Sequence, residues 1–524
     1  MRKSKFIDKN SFIFFYLTVT FLYAVIFLGA EFAGSPVSGI RGFAVLCAQW
    51  ALLSFSAAAI IGIVAINKYL FCIFFPILTL CSAIAAYFRL TLGMSLTPAS
   101  IELAMQNNMA TWLTVISWKL VVLSIISLSV SIWISIIRCK RIREPRHKWI
   151  WVVCFTLVAV LSLNIERVRR PLVSRMPFSF YYSIKDYIHN RKTASEIRTT
   201  FDTTTASTYN DSLTVLFIIG ESLRADHLPA NGYNRATTPH LSSDTAVVYF
   251  PNTKSRYGFT HESVPHILTM RDTVNPDYAY EAQSFITLFK KAGFKTAWLS
   301  NQDQCGTYVY FMHEADTLVM ANSSTSLYSF NKWLDSDLLP VIDNYLSSSA
   351  EPLKLAVIHS IGSHWWYKSH YNDAEAVFKP EIDSRIVSEL TREQMVNSYD
   401  NTIIATDNFI SELINKVRGT NAVILFISDH GEALGEDGHY LHAEFYEHVD
   451  NPASFVWYSD IYAKKNPDKI RALKVNATKG WETTDMFHTA LDAAGISTSV
   501  LDKKSSLFSA KNTNQARNNS DDPL

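Results

Sequence analysis

Apolar positions crowd the first third of the chain and then give way to short alternating runs. Phe12–Phe32 carries almost no charge and is long enough to cross the hydrocarbon core of a bilayer. Gly42–Ile66 and Tyr69–Tyr87 read as a second and third span, parted only by Asn67 and Lys68. Trp112–Ile137 contains a fourth, interrupted by Lys119, which either snorkels or marks where the span begins. Trp149–Leu163 is the fifth and shortest. A cleaved signal peptide is the rival reading of the first stretch, but that stretch is too long for a signal's apolar segment and more spans follow it.

Basic residues orient these spans. Arg2, Lys3, Lys5 and Lys9 precede the first, and Arg138, Lys140, Arg141, Arg143, Arg146 and Lys148 lie between the fourth and fifth. The positive-inside rule then puts the N-terminus in the cytoplasm and, after five crossings, everything beyond Asn164 outside it. Arg89–Ala110 falls on the outer side, where an amphipathic helix could lie on the membrane. Residues 165–211 form a polar connector with Arg167, Arg169, Arg170 and Arg175 at its front. Within it Phe178–Ile188 is aromatic and could be an interfacial helix, and Thr199–Thr208 reads as a linker. A tether would account for all of it.

From Ser212 apolar runs alternate with helix-like stretches, the signature of an α/β domain. Strands are expected at Thr214–Ile219, Thr296–Leu299, Leu355–Ile358 and Ala422–Ile427, and helices at Ser284–Ala292 and Arg392–Val417. The expected organisation is a membrane bundle over 1–164, a connector over 165–211, an α/β domain over 212–503 and a disordered tail over 504–524. The hydrophobic share of 48% is spent mostly in the spans, and a net charge of +1 gives no sign of a nucleic-acid partner. Five of the 6 cysteines lie in or beside the spans; Cys305 alone cannot form a disulfide within the soluble domain.

Candidate chemistry gathers at the C-terminal ends of the strands, the edge where open α/β sheets bind ligands. The run Ala422–Ile427 reads as a buried strand and stops at Ser428-Asp429-His430-Gly431. An adjacent carboxylate and imidazole can reach one divalent ion, and Gly431 permits a tight turn behind them. His442 follows a Gly-rich acidic loop able to fold back over the same spot. The strand Thr214–Ile219 ends in Gly220-Glu221-Ser222; Glu221 taken alone could equally cap a helix. Thr260, near Ser263-Val264-Pro265, could be no more than an N-cap. His364 follows the strand Leu355–Ile358. His227, His240, His359, His439 and His448 are expected to be structural or solvated, and Arg224 and Asp226 to pair or cap.

Five blocks in order, VLFIIGESLRADHLPANGYNRATTPHL, YFPNTKSRYGFTHESVP, HSIGSHWWY, VNSYDNTI and FISDHGEALGEDGHYLH, resemble the phosphoethanolamine transferases that modify lipid A and other surface glycans. That family includes the mobile colistin-resistance enzymes. The resemblance implies five membrane spans followed by a periplasmic domain of alkaline-phosphatase and sulfatase type, in the inner membrane of a diderm bacterium. It implies Thr260 as the nucleophile, with Glu221, Asp429, His430 and the Thr260 oxygen holding Zn2+. His364 and His442 match histidines that line the phosphate site and can hold a second zinc. Asn301 is matched, more loosely, to an asparagine that contacts the transferred phosphate. Phosphatidylethanolamine would be the donor, and lipid A, a lipopolysaccharide core or another glycan the acceptor.

The residues agree with that chemistry. A threonine hydroxyl needs a bound metal to become a useful nucleophile, and two carboxylates with one imidazole leave one position of a tetrahedral ion for it. Two departures bear on the acceptor. Arg256 and His266 stand where many family members carry bonded cysteines, so the nucleophile loop must be held another way. A basic residue expected shortly after Asn301 is missing, with Cys305 near its place. The segment NPASFVWYSDIYAKKNP is also unlike the lipid A enzymes. A phosphoglycerol transferase of the same superfamily is the nearest rival, and a non-catalytic membrane sensor the rival from another class. A sulfatase reaction fits less well, because Thr260 lacks the Cys/Ser-x-Pro-x-Arg context of formylglycine.

Overall fold

The computed structural model describes residues 4–33, 35, 37, 39–92, 95–98, 101, 117–322, 331–348, 350–384, 387–442 and 447–509. It divides into two units. One comprises the described residues up to His189, and the other those of Asn190–Asn322, Lys332–Ile382 and Val387–Ser509.

The first unit is helical: α1 Ser4–Ile26, α2 Gly39–Ile66, α3 Lys68–Leu92, α4 Trp118–Lys140, α5 Lys148–Asn164 and α6 Glu166–Val173. The expected first span is α-helical to Ile26 and finishes in a 3₁₀ turn, Leu28–Phe32. Four of these segments are long and apolar enough to cross a membrane, whereas α5 has 17 residues and is shorter. Large apolar side chains such as Phe14, Phe21, Phe55 and Trp133 point outward, as they do on helices solvated by lipid rather than water. Gly62 brings α2 close to α5, since a Cβ there would lie 2.6 Å from the Phe155 ring. Arg138, from the basic run after the fourth span, is buried and donates to the carbonyls of Ala65 and Ile66 at 2.7 and 3.1 Å. It thereby satisfies carbonyls that the end of α2 leaves open. Of the proposed surface helix Arg89–Ala110, Arg89 belongs to the last turn of α3 and most of the rest lies outside the described residues. The helix α7, Phe178–Ala194, covers the aromatic stretch of the connector.

The second unit is built on a seven-stranded sheet: β1 Leu213–Gly220, β2 Val247–Tyr249, β3 Lys295–Ser300, β4 Thr317–Met320, β5 Leu353–His359, β6 Ala422–Ser428 and β7 Ser454–Tyr458. The spatial order is β2-β7-β6-β1-β5-β3-β4. Five neighbouring strands, from β6 to β4, run parallel, and β7 is antiparallel to both its neighbours. All four expected strands are present and slightly longer than their apolar runs. The other three strands were not expected; they are short, and two of them sit at the sheet's edges.

Alternate residues Val215, Phe217 and Ile219 of β1 join Val423, Leu425 and Ile427 of β6 in one apolar core with Phe285 and Phe289 of α9, Phe285–Lys291. The nucleophile loop leads into α8, Thr260–Leu268. The long α10, Arg392–Val417, begins where expected, at a capping box of Thr391 and Gln394, and α11, Met486–Ala493, adds Phe487 and Leu491 to the core.

The connector does more than tether. Phe201 is buried in this core, and Ala206–Thr208 pairs antiparallel with Ile496–Thr498. The unit thus starts at Asn190, earlier than Ser212. At the other end Leu507 and Phe508, inside the stretch expected to be disordered, are buried in the same core; from Ala510 onward the tail lies outside the described residues.

Candidate metal centre

β1 and β6 are parallel neighbours, with Gly220 opposite Ser428. The residues that follow, Glu221 and Asp429, therefore emerge side by side at the C-terminal edge of the sheet, with His430 next. All three are buried, and their ligand atoms lie within 4.8 Å of one another. His430 Nε2 is 3.6 Å from Glu221 Oε1 and 3.3 Å from Asp429 Oδ2. His430 Nδ1–H donates to the Gly431 carbonyl at 2.8 Å, which fixes the tautomer and leaves Nε2 as a lone pair aimed at the carboxylates.

The donor set asks for a cation. Asp429 Oδ2 and His430 Nε2 are both buried without a hydrogen-bond partner, a costly arrangement unless an ion fills the space between them. Burial, and then the charge of Glu221, push the Asp429 carboxyl above its usual range. Two carboxylates and an imidazole suit zinc, with a position left over.

Thr260 comes to the same group. As the first residue of α8, it donates from Oγ1 to Glu221 Oε2 at 2.9 Å. The helix start is pinned to the metal strand, because Ser263 and Ser255 both donate to the Asp429 carbonyl, at 2.6 and 3.1 Å. No disulfide is needed. Arg256 meets both carboxylate oxygens of Glu482 at 3.2 Å, and Arg271 joins the same group at 2.8 Å. His266 stacks on Tyr257 with centroids 4.0 Å apart and donates from Nδ1 to the Glu262 carbonyl at 2.7 Å.

The expected histidines also come to this edge. The His442 ring lies 4.5 Å from that of His430, and its Nδ1 is 3.3 Å from Glu432 Oε1. Burial pulls the His442 pKa down, but the carboxylates of Glu432, Glu221 and Asp429 together lift the value to about 9. His364 is half-buried; desolvation, and then the nearby His442, hold its pKa at about 4. Asn301 sits at the end of β3, but its amide is occupied within the protein. Nδ2 donates to Asp335 at 2.9 Å and to the Leu334 carbonyl at 3.1 Å, and Oδ1 accepts from Trp333 Nε1 at 3.0 Å and from Asn322.

The neighbour of Asn301 reaches the centre instead. Gln302 Nε2 donates to Glu221 Oε2 at 2.9 Å and to the Ser360 carbonyl at 3.2 Å. Sequence reasoning missed Gln302 and also Glu432; a polar pair after a strand gave no sign of which member faces the site. Outside the centre, His359 is buried between Trp298 and Tyr308, and desolvation lowers its pKa to about 4. His227 pairs with Asp400 at 2.7 Å, and Arg224 with Asp226 at 2.6 Å.

The family model described as sulfatase matches residues 214–496, more than half of the chain and all of the sheet but Leu213. The chain belongs to the sulfatase family. The phosphoethanolamine transferase EptA of Escherichia coli (strain K12) is 31% identical to it over 301 residues, 55% of this chain and 54% of that protein. The chain thus spans about half the length of that relative. The solved integral membrane protein lipooligosaccharide phosphoethanolamine transferase A from Neisseria meningitidis shares the fold over 94% of this chain and 97% of its own, with TM-score 0.53 and 21% identity. The C-terminal periplasmic domain of EptC from Escherichia coli, solved as a complex with Zn, covers 59% of this chain and 90% of its own, with TM-score 0.53 and 23% identity. The sulfatase-family domain carries the metal-competent group, and apolar helices precede it.

Proposed function

We infer that the protein transfers phosphoethanolamine from phosphatidylethanolamine to lipid A, a lipopolysaccharide core or another surface glycan through a covalent intermediate on Thr260. The observation that carries this reading is the Thr260 hydroxyl, hydrogen-bonded to Glu221 beside two buried, unpartnered ligand atoms. Glu221, Asp429, His430 and the Thr260 oxygen would hold one zinc ion tightly, and His364 and His442 can hold a second. Bound zinc supplies Lewis-acid stabilisation of charge on oxygen.

The chain's own groups do the rest. Glu221 Oε2 accepts the Thr260 hydrogen bond and takes its proton as Oγ1 forms a bond to phosphorus. The bond from phosphorus to diacylglycerol breaks, and that oxygen leaves with a proton from solvent or a site histidine. An acceptor hydroxyl or phosphate oxygen then attacks the same phosphorus, the phosphorus–Oγ1 bond breaks, and Oγ1 takes back the proton held on Glu221. A hydroxyl acceptor gives its own proton to solvent or to the site histidine that protonated the diacylglycerol. His442, charged beside Glu432, would donate to phosphate oxygens as charge builds, while Gln302 holds Glu221 Oε2 in place and His364 lines the site.

The membrane arrangement belongs to the same reading: five spans, with α5 as the last, in the inner membrane and with the catalytic domain in the periplasm. The basic run between α4 and α5 and the apolar character of α5 support it. Adding an ammonium to lipid A lowers its negative charge, so resistance to cationic polymyxins is the expected consequence.

The test is mass spectrometry of the full-length protein incubated with phosphatidylethanolamine and zinc but no acceptor. A phosphoethanolamine adduct localised to Thr260 is the expected result. Zinc bound without an adduct would instead turn attention to phosphatidylglycerol as donor and to phosphoglycerol transfer.

A further inference from the structure

Ser222, the residue after Glu221, is fully buried and has a backbone φ of +56°, in the left-handed region that residues with a side chain seldom adopt. Such backbone persists only where its surroundings hold it. Here the Ser222 carbonyl accepts from the Tyr399 hydroxyl of α10 at 2.7 Å, and that hydroxyl accepts from the Arg224 N–H at 2.8 Å. Leu223 N–H donates to Ser428 Oγ at 2.8 Å, so the turn is fixed to the end of β6 as well.

The turn aims two donors at two different carboxylates. Ser222 N–H donates to Asp429 Oδ1 at 3.1 Å, and Ser222 Oγ donates to Glu221 Oε1 at 2.8 Å. Asp429 Oδ1 also accepts the His430 N–H at 2.8 Å, while Asp429 Oδ2 is left bare. One carboxylate oxygen is thus tied down, and the other is turned toward His430 Nε2.

We propose that Ser222 is a positioning residue of the metal centre, its left-handed turn orienting the Glu221 and Asp429 carboxylates together before an ion arrives. The inference rests on the metal reading above. Two like charges left free to rotate would separate, and the ion would have to draw them back. A serine suits the position because only its hydroxyl adds the second donor; glycine would make the turn more easily and lose that donor.

The test uses full-length protein in detergent, stripped of metal, with Ser222→Gly and Ser222→Ala beside the wild type. Zinc affinity is read by competition with a chromogenic chelator, and ligand geometry by the visible spectrum after cobalt substitution. Both variants keep the backbone N–H and lose the hydroxyl, and Ser222→Gly accepts the φ, so it carries the test if Ser222→Ala does not fold. The expected result is about a tenfold loss of zinc affinity in each, with an altered cobalt spectrum, in line with the loss of other supporting partners of metal ligands. Wild-type affinity and spectrum in the variants would overturn the proposal, even if their activity fell. A wild-type protein that bound no zinc would overturn the metal reading, and this inference with it.

Discussion

Thr260 and Gln302 converge on a single atom, since each donates to Glu221 Oε2 at 2.9 Å. One comes from the start of α8 and the other from just beyond β3, so the shared oxygen joins two loops that are distant in sequence. While the Gln302 amide is there, Glu221 cannot turn away from the hydroxyl. Both amide hydrogens are engaged, one on Glu221 Oε2 and one on the Ser360 carbonyl, so its effect on the reaction passes through Glu221. Gln302→Ala is expected to lower kcat by about 10- to 100-fold, the range for an oriented donor at a charge-developing site, with zinc affinity little changed. Unchanged kcat would remove Gln302 from the reaction.

Thr260→Ala removes the hydroxyl but none of the three buried ligand groups at the sheet edge. Transfer should fall to background while zinc remains bound, because Glu221, Asp429 and His430 still supply two carboxylates and an imidazole. Thr260→Ser keeps the oxygen and should retain measurable transfer. Equal losses in the two variants would argue that the methyl group, and so the packing of the loop, was what mattered.

Asn301 invites the opposite experiment. The family resemblance implies a phosphate contact, yet all of its amide bonds in this structure go to Asn322, Trp333, Leu334 and Asp335. Asn301→Ala strands a buried tryptophan N–H and removes one of the donors to the buried Asp335 carboxylate, which keeps the Ile361 and Gly362 N–H groups. It should cost about 2–3 kcal/mol of stability and leave KM for the donor near wild type. A raised KM at unchanged thermal midpoint would restore the substrate role.

The strand-end groups of the candidate centre were legible because they sit where apolar runs stop. Ala422–Ile427 announced a buried strand, and Asp429 and His430 had to emerge at its end. Glu221 followed by the same logic from β1. What could not be read was anything depending on which strands become neighbours or on which way a loop residue turns. Gln302 and Asn301 are adjacent, both polar and both after β3; parity alone did not say which would face Glu221. β7 carries the run Phe455–Tyr458, as apolar as the strands that were expected, and it pairs antiparallel, a choice made by the chain's return path rather than by composition. Leu507 and Phe508 sat in a polar stretch whose average hid two anchors.

Arg256, Arg271 and Glu482 make a further case for tertiary context. The sequence said only that a bonded cysteine pair was absent from the nucleophile loop. The structure has one carboxylate, 15% exposed, holding two guanidinium groups, one of them on that loop. Such half-exposed pairs contribute about 1 kcal/mol or less to stability. Glu482→Ala should therefore barely move the thermal midpoint, yet it should lower kcat several-fold by freeing the approach of Thr260 and make residues 255–259 more open to limited proteolysis. Wild-type kcat with wild-type protease resistance would show that Ser255, Ser263 and the Tyr257–His266 stack hold the loop unaided.

Glu314 predicts how stability depends on pH, away from the metal centre. Its buried carboxylate accepts from Ser284 and Thr287 at the start of α9, with Arg198 nearby and Lys290 bonded to its own carbonyl. Burial dominates and raises its pKa from 4.5 to about 7. Between those two values the folded state binds a proton that the unfolded chain has released. Stability from this group is therefore fully present below about pH 4.5, falls as pH rises, and levels off above about 7. The shift corresponds to at most on the order of 3 kcal/mol. Glu314→Gln keeps an acceptor for the Ser284 N–H and cannot ionise. Thermal midpoints measured from pH 5 to pH 8 should decline more steeply in the wild type than in the variant; parallel curves would show that Glu314 stays ionised throughout and that its serine and threonine donors outweigh burial.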